Sequence, residues 1–321
     1  MSRKSVVKSV AIIASGSLML LSAAHAATFD TNKVSFRDIT GSVEIVTTSG
    51  EETDVTIRQG KEYHRVVLSE KDGVLMIEGE PWRDDEFGDC CNTRINREFH
   101  PREGRTLSTG ARADEDFFTD YPTIIVSMPF KGDVSFTDAR MKLDMDRLDG
   151  ALSLDACYVY GEVGDVDEAV VGVIDGSRLV MGNVGSGLEI DVSGDADVMA
   201  GDAVIVDVDI SGSGDVILGD VSGMLDVSIA GSGLVRSTRL DGPLTARIAG
   251  SGAVAVKAGR ADRLRAIIDG SGGVYFDGAA TQPELRLSTS SEVQMQSVNG
   301  RISRYGKGAV YVGGERVALD R

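Results

Sequence analysis

The chain has 321 residues, and 50 acidic against 33 basic residues give it a formal net charge of −17 at pH 7. This charge repels nucleic acid and anionic lipid, so neither is a predicted partner. Glycine is abundant at 39 residues and proline is scarce at 6, a composition that argues against a helix-rich fold.

The first 26 residues have the order of a secretory signal peptide. A basic segment from Arg3 to Lys8 precedes an apolar run from Val10 to Leu21, and the small-residue triplet Ala24-His25-Ala26 follows. We predict cleavage after Ala26, which removes residues 1–26. The apolar run is shorter than the roughly 20 residues that span a bilayer, and no later segment is suited to a membrane span. We therefore expect the mature protein in the periplasm, or on the outer-membrane or extracellular side, of a Gram-negative-type bacterium.

Two different stretches follow before the repeats begin. Residues 27–80 contain short alternating runs, such as Val43 and Ile45, and form either a small sheet or further turns that cap the repeats. Residues 81–121 are polar and contain Trp82, Cys90-Cys91 and few aliphatic side chains. An insert of about 40 residues is long for a compact fold, so we expect a capping or mobile segment rather than a binding loop.

Residues 122–321 consist of repeats. The strings IDISGSGDVIL, VSIAGSGLVRS, ARIAGSGAVAV and AIIDGSGGVYF return with a period of about 19 residues. The first turn residues of successive units are Asp138, Ala156, Gly176, Gly194, Gly212, Gly231, Gly250, Gly270, Thr289 and Gly306. This recurrence predicts an all-β solenoid of about ten turns, each made of two short strands and two corners.

Apolar residues recur at fixed positions on both sides of these turn residues and form two columns, one before the turn and one after it. Apolar residues alternate within a unit, as in Leu225, Val227 and Ile229, which indicates a strand with one buried face. The column before the turn holds Phe136, Leu154, Ile174, Val192, Ile210, Ile229, Ile248, Ile268 and Leu287. The column after it holds Val180, Val198, Val216, Val235, Val254, Val274, Val293 and Val310. Such recurrence favours a solenoid over a β-sandwich, which shows alternation alone.

The first and last units depart from the pattern. Asp138 and Ala156 replace glycine in the first two units, and the register after them is irregular. Arg304 replaces the aliphatic residue of the last unit. We interpret this arginine as part of a polar end, because an uncovered solenoid end would aggregate.

Three cysteines in an oxidising compartment predict one disulfide and one remaining thiol. Cys157 takes the corner position that serine holds in other units, and a corner residue points to the rim of the stack. Adjacent Cys90 and Cys91 bond to each other only through a strained ring, so one of them is expected to pair with Cys157. We predict the pair Cys91–Cys157, with three free or variously paired thiols as the alternative.

The candidates for chemistry are carboxylates on one outward face. The predicted register stacks Glu189, Asp191, Asp207 and Asp209 at about 5 Å between turns, close enough to share a proton or a cation. A carbohydrate-active enzyme that uses paired aspartates is therefore the alternative to a binding surface. Sugar-processing sites usually offer aromatic platforms, however, and the single tryptophan, Trp82, lies outside the repeats. We favour a solvated face and predict no catalytic residue.

Metal and cofactor sites find less support. Gly-Ser-Gly-Asp at 212–215 is similar to a calcium-binding β-roll turn, but Leu234, Ala253 and Gly273 replace the acid in the following turns. The mature chain has two histidines, and no Cys/His cluster has zinc spacing. The glycine-rich strings lie between strands, so they are not dinucleotide fingerprints. We predict no cofactor and no metal.

The repeats also carry a family resemblance. The GSG-punctuated units of about residues 170–275, with the stretch Ile39-Thr40-Gly41-Ser42-Val43-Glu44-Ile45, resemble the head-GIN domain family, whose members are described as autotransporter-adhesin-like. The resemblance covers most of the mature chain and depends on glycine and aliphatic columns. It implies an exported bacterial β-solenoid of the envelope or surface, and it brings no catalytic residues.

These patterns together predict a non-catalytic envelope or surface protein, adhesin-like or structural, with a protein or glycan partner. Its outward residues are acidic from Glu189 to Asp226. The following units add Arg236, Arg239, Arg247, Arg260, Arg263 and Arg265. We hypothesise that this asymmetry orients contact with a partner or with another copy of the protein. Two zones that are merely solvated are the alternative.

Overall fold

The computed structural model describes residues 25–81, 117–174 and 176–318. Within these ranges the chain is all-β apart from a 3₁₀ helix at Phe117–Asp120. The predicted β-solenoid is confirmed, with about nine turns and a period near 19 residues. The described residues include no helix that is long and apolar enough to cross a membrane.

The strands before the regular turns belong to the N-terminal region. They are β1 His25–Phe29, β2 Lys33–Arg37, β3 Thr40–Thr48, β4 Thr53–Arg58, β5 Val67–Lys71, β6 Val74–Glu78 and β7 Thr123–Pro129. Two long strands, β8 Asp133–Met145 and β9 Leu148–Val163, then begin the regular turns.

From residue 166 onward the turns consist mainly of shorter strands. They are β10 Val166–Val173, β11 Arg178–Met181, β12 Val184–Gly194, β13 Asp197–Ala200, β14 Ala203–Gly212, β15 Asp215–Val221, β16 Leu225–Gly231, β17 Leu234–Asp241, β18 Leu244–Gly250, β19 Ala253–Val256, β20 Gly259–Ala261, β21 Leu264–Gly270, β22 Gly273–Thr281, β23 Glu284–Leu287, β24 Glu292–Asn299, β25 Ser303–Gly306, β26 Ala309–Val312 and β27 Glu315–Arg316.

These strands stack in parallel on two faces of the solenoid. The first face consists of β10, β12, β14, β16, β18, β21, β23 and β25, paired in that order. The second face consists of β11, β13, β15, β17, β19, β22, β24 and β26. Each turn contributes one strand to each face. A short third side is also paired, since β20 lies between the ends of β17 and β22. The chain thus winds continuously around one apolar interior.

The interior is built from in-register aliphatic columns. Ile210, Ile229, Ile248 and Ile268 pair along the first face, and each is at most 3% exposed. At a strand spacing of about 4.8 Å each side chain contacts the next, and its burial contributes on the order of 1.5–3 kcal/mol. This register confirms the predicted column over these turns and distinguishes the solenoid from a β-sandwich.

The corners explain the recurrent Gly-Ser-Gly strings. Gly212, Gly231, Gly250 and Gly270 have φ between 131° and 137°, a region that side chains disfavour. A Cβ at Gly231 would also overlap the carbonyl oxygen of Gly212 in the previous turn. That oxygen accepts a hydrogen bond from the backbone N–H of Ser232 at 2.8 Å. Serine at these corners therefore serves turn geometry.

The predicted register is wrong in the earlier units and in the last one. Val173 and Leu179 occupy the apolar columns in place of Ile174 and Val180, because they pair with Val192 and Val198. Phe136 and Leu154 are buried, but they belong to a neighbouring column. Phe136 pairs with Leu154, Leu154 with Val171, and Val171 with Ile190. The pairing also sets Arg304 beside Leu285 rather than Leu287. Bulges in β8, β9 and β10 accompany the early shifts.

The N-terminal region adds turns to the solenoid and then covers its end. β2 and β3 pair in parallel with β8, and Phe36 stacks on Phe136 with ring centroids 4.6 Å apart. β6 and β7 pair with the far edges of β2 and β3. Antiparallel β5 covers β6, while antiparallel β4 and then β1 cover β7. This reversal of direction ends the parallel stack.

The 3₁₀ helix Phe117–Asp120 is the first described element after residue 81. Phe118 is 1% exposed, and its ring lies 5.8 Å from that of Tyr158 in β9. Lys61 and Asp120 form an ion pair at 2.7 Å, which holds this return against the loop after β4. Most of the predicted insert, residues 82–116, lies outside the described residues.

Residues 1–24 of the predicted signal peptide also lie outside the described residues. β1 includes His25 and Ala26, on the N-terminal side of the predicted cleavage point. The pairing of β1 with β4 continues from Ala27 to Phe29. Cleavage after Ala26 would therefore leave part of this strand in place, and it stays a prediction.

An antiparallel strand also ends the second face at the C-terminal side. β27 pairs antiparallel with β26, matching Tyr311 to Arg316. Arg304 lies partly buried beneath this end, and its guanidinium donates a hydrogen bond to the carbonyl of Gly308. Burial lowers the pKa of Arg304, with a smaller contribution from Arg316.

Candidate functional site

The carboxylates predicted to stack lie side by side on the first face. Glu189 pairs with Asp207 and Asp191 with Asp209 across β12 and β14. Asp226 in β16 continues the row beyond Asp207. Neighbouring backbones are about 4.8 Å apart, so charges of the same sign face one another over three turns. We call these five residues the acidic ladder.

Period-two alternation explains why the ladder points outward. In β14, Val206, Val208 and Ile210 are buried, whereas Asp207 and Asp209, which alternate with them, are exposed. The buried residues fix the strand in register, since a slip by one residue would move the aspartates into the core. The apolar columns therefore hold the ladder carboxylates in position, and no loop is required.

Partial burial, together with repulsion between neighbouring carboxylates, lowers the acidity of the ladder. The pKa of Asp191 is raised to about 6, chiefly by burial and then by the charges of Asp209, Glu189, Asp207 and Asp155. Burial also raises the pKa of Asp207, with Asp209 as the next cause. Partial burial and the neighbouring negative charges thus both disfavour the ionised form of these carboxyls, and protonation or an external cation would relieve this cost.

The first face becomes basic beyond the ladder. Arg247, Arg265 and Arg286 lie on β18, β21 and β23, and Arg263 directly precedes β21. We call these four residues the basic zone. Arg247 forms an ion pair with Asp226 at 2.6 Å, which marks the boundary between the two zones. Sequence reasoning missed Arg286, which the pairing of Ile267 with Arg286 brings onto this face.

The other predicted arginines lie elsewhere. Arg236 pairs with Ile217 on the second face. Arg239 forms an ion pair with Asp241 at 2.6 Å, and Arg260 pairs with Asp262 at 3.2 Å. These two pairs neutralise charge within the corners. The predicted asymmetry therefore extends over the first face with fewer arginines than the sequence indicated.

The surroundings of the ladder are open. Asp207 and Asp209 are exposed, and the nearby apolar residues Ile205 and Met224 are 48% and 39% exposed. The two outward rows that contain the ladder hold no aromatic side chain between β9 and β23, all within the described residues. The carboxylates stand on a sheet surface and do not line an aromatic cleft.

The predicted calcium-like turn does not gather ligands. Asp215 pairs with Asp197 on the second face, and Leu234 follows in the next turn. Over the ranges that the structure covers, no group of three or more His, Cys, Asp or Glu side chains is arranged to hold a metal ion. His64 lies apart from the ladder, with its ring 4.9 Å from that of Tyr121.

Cys157 is disulfide-bonded. It lies within the continuous strand β9, where a corner turn was predicted, and it is 3% exposed. Cys90 and Cys91 lie outside the described residues, and the pair Cys91–Cys157 stays a prediction. The neighbouring Tyr158 contacts Phe118, so the chain that follows the insert already covers this part of the first turns.

The described fold is thus that of a β-solenoid with a charged, open first face. Solved structures of similar architecture include candidate adhesins from Parabacteroides merdae and Parabacteroides distasonis. The first shares 14% identity over 90% of this chain and 95% of its own, with a TM-score of 0.36. The second shares 13% over 91% and 97%, with a TM-score of 0.39. A candidate lipid-binding protein from P. distasonis shares 11% over 90% and 96%, with a TM-score of 0.36. No family model and no curated protein matches the chain.

Proposed function

We propose that the chain is a non-enzymatic, adhesin-like protein that is exported to the bacterial envelope or surface and binds through its first face. The observation that supports this most directly is the open surface on which carboxylates and guanidinium groups occupy successive turns. Strands with buried columns hold the backbone that carries these charges, so little backbone entropy is lost on contact. A rigid, charged, cleft-free surface suits recognition of a macromolecular surface.

Export and family membership are parts of this proposal. The basic-apolar-small order of residues 1–26 supports passage through the inner membrane, with cleavage after Ala26. The GSG-punctuated units support membership of the head-GIN domain family. The partner is a protein or glycan of the envelope or of a neighbouring cell surface.

A carbohydrate-active enzyme is the second candidate. The raised pKa of Asp191, about 6, is in the range of a general acid, and Asp209 stands beside it on the next strand. Against this, a glycosidase places its two carboxyl groups on either side of the scissile bond. The ladder carboxylates instead project from one surface without an aromatic platform.

Binding of the labelled mature protein to envelope fractions and intact cells of the producing bacterium tests the proposal. The variant Asp207→Asn with Asp209→Asn removes two neighbouring charges from the first face. The matched control, Asp197→Asn with Asp215→Asn, removes two neighbouring charges from the second face. We expect the first variant to lose at least about tenfold in affinity and the control to bind as wild type. Equal binding by both variants would contradict the proposal.

A parallel assay separates the enzyme from the binding protein. Release of reducing ends from envelope polysaccharides by the wild type, abolished in Asp191→Asn, would identify the second candidate as correct. We expect no such release. Neither double variant nor Asp191→Asn should have a lower unfolding midpoint than the wild type, and this control shows that a lost activity does not reflect lost folding.

A further inference from the structure

We propose that the first face binds the first face of a second copy of the same chain, related by a two-fold axis that runs along the strands between β16 and β18. This inference depends on the proposed function in one respect, namely that the first face is the contact surface. It specifies the partner of that surface as another copy of this protein.

The order of the charges supports this arrangement. Along the stack, the acidic ladder occupies β12, β14 and β16, and the basic zone begins at β18. A two-fold rotation about the stated axis reverses the order of the turns, so that β16 faces β18 of the second copy. β14 then faces β21, and β12 faces β23. The acidic strand β14 thus meets β21, which carries Arg265, and β12 meets β23, which carries both Arg286 and Glu284. Every contact occurs twice because the interface is isologous.

The residue register makes the contacts specific. An outward row consists of the outward residues that are in register on successive strands. Rotation about an axis parallel to the strands does not shift residues along the strands, so each row of one copy faces the same row of the other copy. Asp207 and Arg265 share one row, through Asp226 and Thr245, so Asp207 faces Arg265 of the second copy. Asp191 and Arg286 share the other row, so Asp191 faces Arg286 of the second copy. These two pairs, each formed twice, give Asp207 and the half-buried Asp191 a cation each. The register also brings two like charges together, since Glu189 of one copy faces Glu284 of the other, and this contact is unfavourable.

Exposed apolar residues occupy matching positions. Met224 precedes Leu225, and Pro243 precedes its register partner Leu244, so these two residues face each other next to the axis. Met224 is 39% exposed in the single chain, and Pro243 is also exposed. At the outer edge, β10 of one copy faces β25 of the other. Val170 on β10 is 41% exposed, and Tyr305 on β25 is 78% exposed. The charged rows are thus flanked by side chains that gain from removal of water.

The size of the face agrees with a stable interface. Eight strands at about 4.8 Å and about seven residues at about 3.3 Å each give a surface of roughly 900 Å² per copy. Specific interfaces bury about 800 Å² per partner. A purely cationic partner suits only half of this surface, because Arg247, Arg265 and Arg286 would repel it. A second copy satisfies both halves.

Charge reversal with mixing tests the inference. In Asp207→Arg, and separately in Arg265→Asp, each dimer would oppose like charges at two places. When the two variants are mixed, one introduced arginine meets the introduced aspartate, and the second contact keeps its native pair. The mixture should therefore associate although neither variant does. The control Asp197→Arg changes the charge of the second face by the same amount.

Sedimentation velocity of the mature protein over a range of concentrations, at low and at about 0.15 M salt, provides the measurement. We expect a concentration-dependent dimer for wild type and for Asp197→Arg, and at least about a tenfold weaker dimer for each first-face variant. The dimer dissociation constant should return to within a few-fold of the wild-type value for the mixture. The same recovery is expected for a chain that carries both Asp207→Arg and Arg265→Asp. Cooperative unfolding of each variant in urea shows that it folds.

Three outcomes would overturn the inference: a monomeric wild type, a mixture no better than its components, or equal weakening by Asp197→Arg. Its failure is distinct from failure of the proposed function. A monomeric wild type whose binding to envelopes still requires Asp207 and Asp209 removes the dimer alone. A dimer with charge-reversal rescue, combined with envelope binding that ignores both residues, removes the proposed envelope contact alone.

Discussion

Replacing Ile229 with aspartate tests the stacked core where it is most regular. Ile229 is 2% exposed and lies in register between Ile210 and Ile248. The substitution forfeits about 1.5–3 kcal/mol of apolar burial. It also places a carboxylate without a cation among aliphatic side chains, which costs several kcal/mol more. Since domains are stable by only about 5–15 kcal/mol, we expect a loss of at least about 4 kcal/mol or complete unfolding.

The neighbouring position provides the control. Ser228 points outward, and its register partners are Asp209 on one side and Arg247 on the other. An aspartate at position 228 would gain attraction from one and repulsion from the other, so Ser228→Asp should change stability by less than about 0.5 kcal/mol. A milder core variant, Ile229→Ala, should lose about 2–5 kcal/mol if Ile229→Asp does not fold.

Urea unfolding followed by circular dichroism measures these differences in non-reducing buffer. Each variant is compared with wild type by its unfolding midpoint and slope, because a change of slope would indicate loss of cooperative unfolding. Similar losses for Ile229→Asp and Ser228→Asp would refute the assignment of inward and outward residues.

Three further predictions concern the ladder, the corners and the cysteines. Asp191 has a folded pKa of about 6, raised above its ordinary value of 3.8, so its contribution favours folding below the lower value and is lost as pH rises through about 6. Asp191→Asn should therefore stabilise the protein by about 1–2 kcal/mol above pH 7 and lose this advantage at acidic pH, as measured by unfolding at several pH values. Gly231→Ala should destabilise by about 1–3 kcal/mol in urea unfolding because of its positive φ and close stacking, whereas Gly187→Ala meets no atom within 4 Å and should be tolerated. Peptide mapping of non-reduced periplasmic protein should recover a peptide that joins Cys157 to Cys91; a Cys157–Cys90 peptide or an alkylatable Cys157 would contradict this pairing.

The sequence was most informative where local rules and stacking agree. From Val192 to Ile268 the alternation, the glycine corners and the apolar columns all repeat, so the register and the alignment of Asp207 with Glu189 could be predicted. The same rules failed at Ile174 and Val180, because the turn glycine Gly176 comes three residues after Val173, whereas Gly194 comes two residues after its register partner Val192. A corner turn was also predicted at Cys157, whereas β9 continues through the place where later units turn.

Long-range order was not accessible from periodicity. The placement of β6 and β7 outside β2 and β3 depends on pairings between residues far apart in sequence, which an alternating pattern does not specify. Arg286 was missed because it follows Glu284 in a unit of mixed charge, and only the stacking places it in one row with Asp191. The candidate face therefore emerged in part from the sequence and was completed by the register.

The antiparallel strands at both ends have a consequence for the length of the molecule. They are complete without reference to how many turns lie between them, and the turns from 203 to 270 are close to interchangeable. Insertion of one further unit of about 19 residues would move the two ends apart by about 4.8 Å and leave both closures intact. Duplication or loss of whole units can therefore change the length of the solenoid in steps of about 4.8 Å, with no change in the sequences of its two ends.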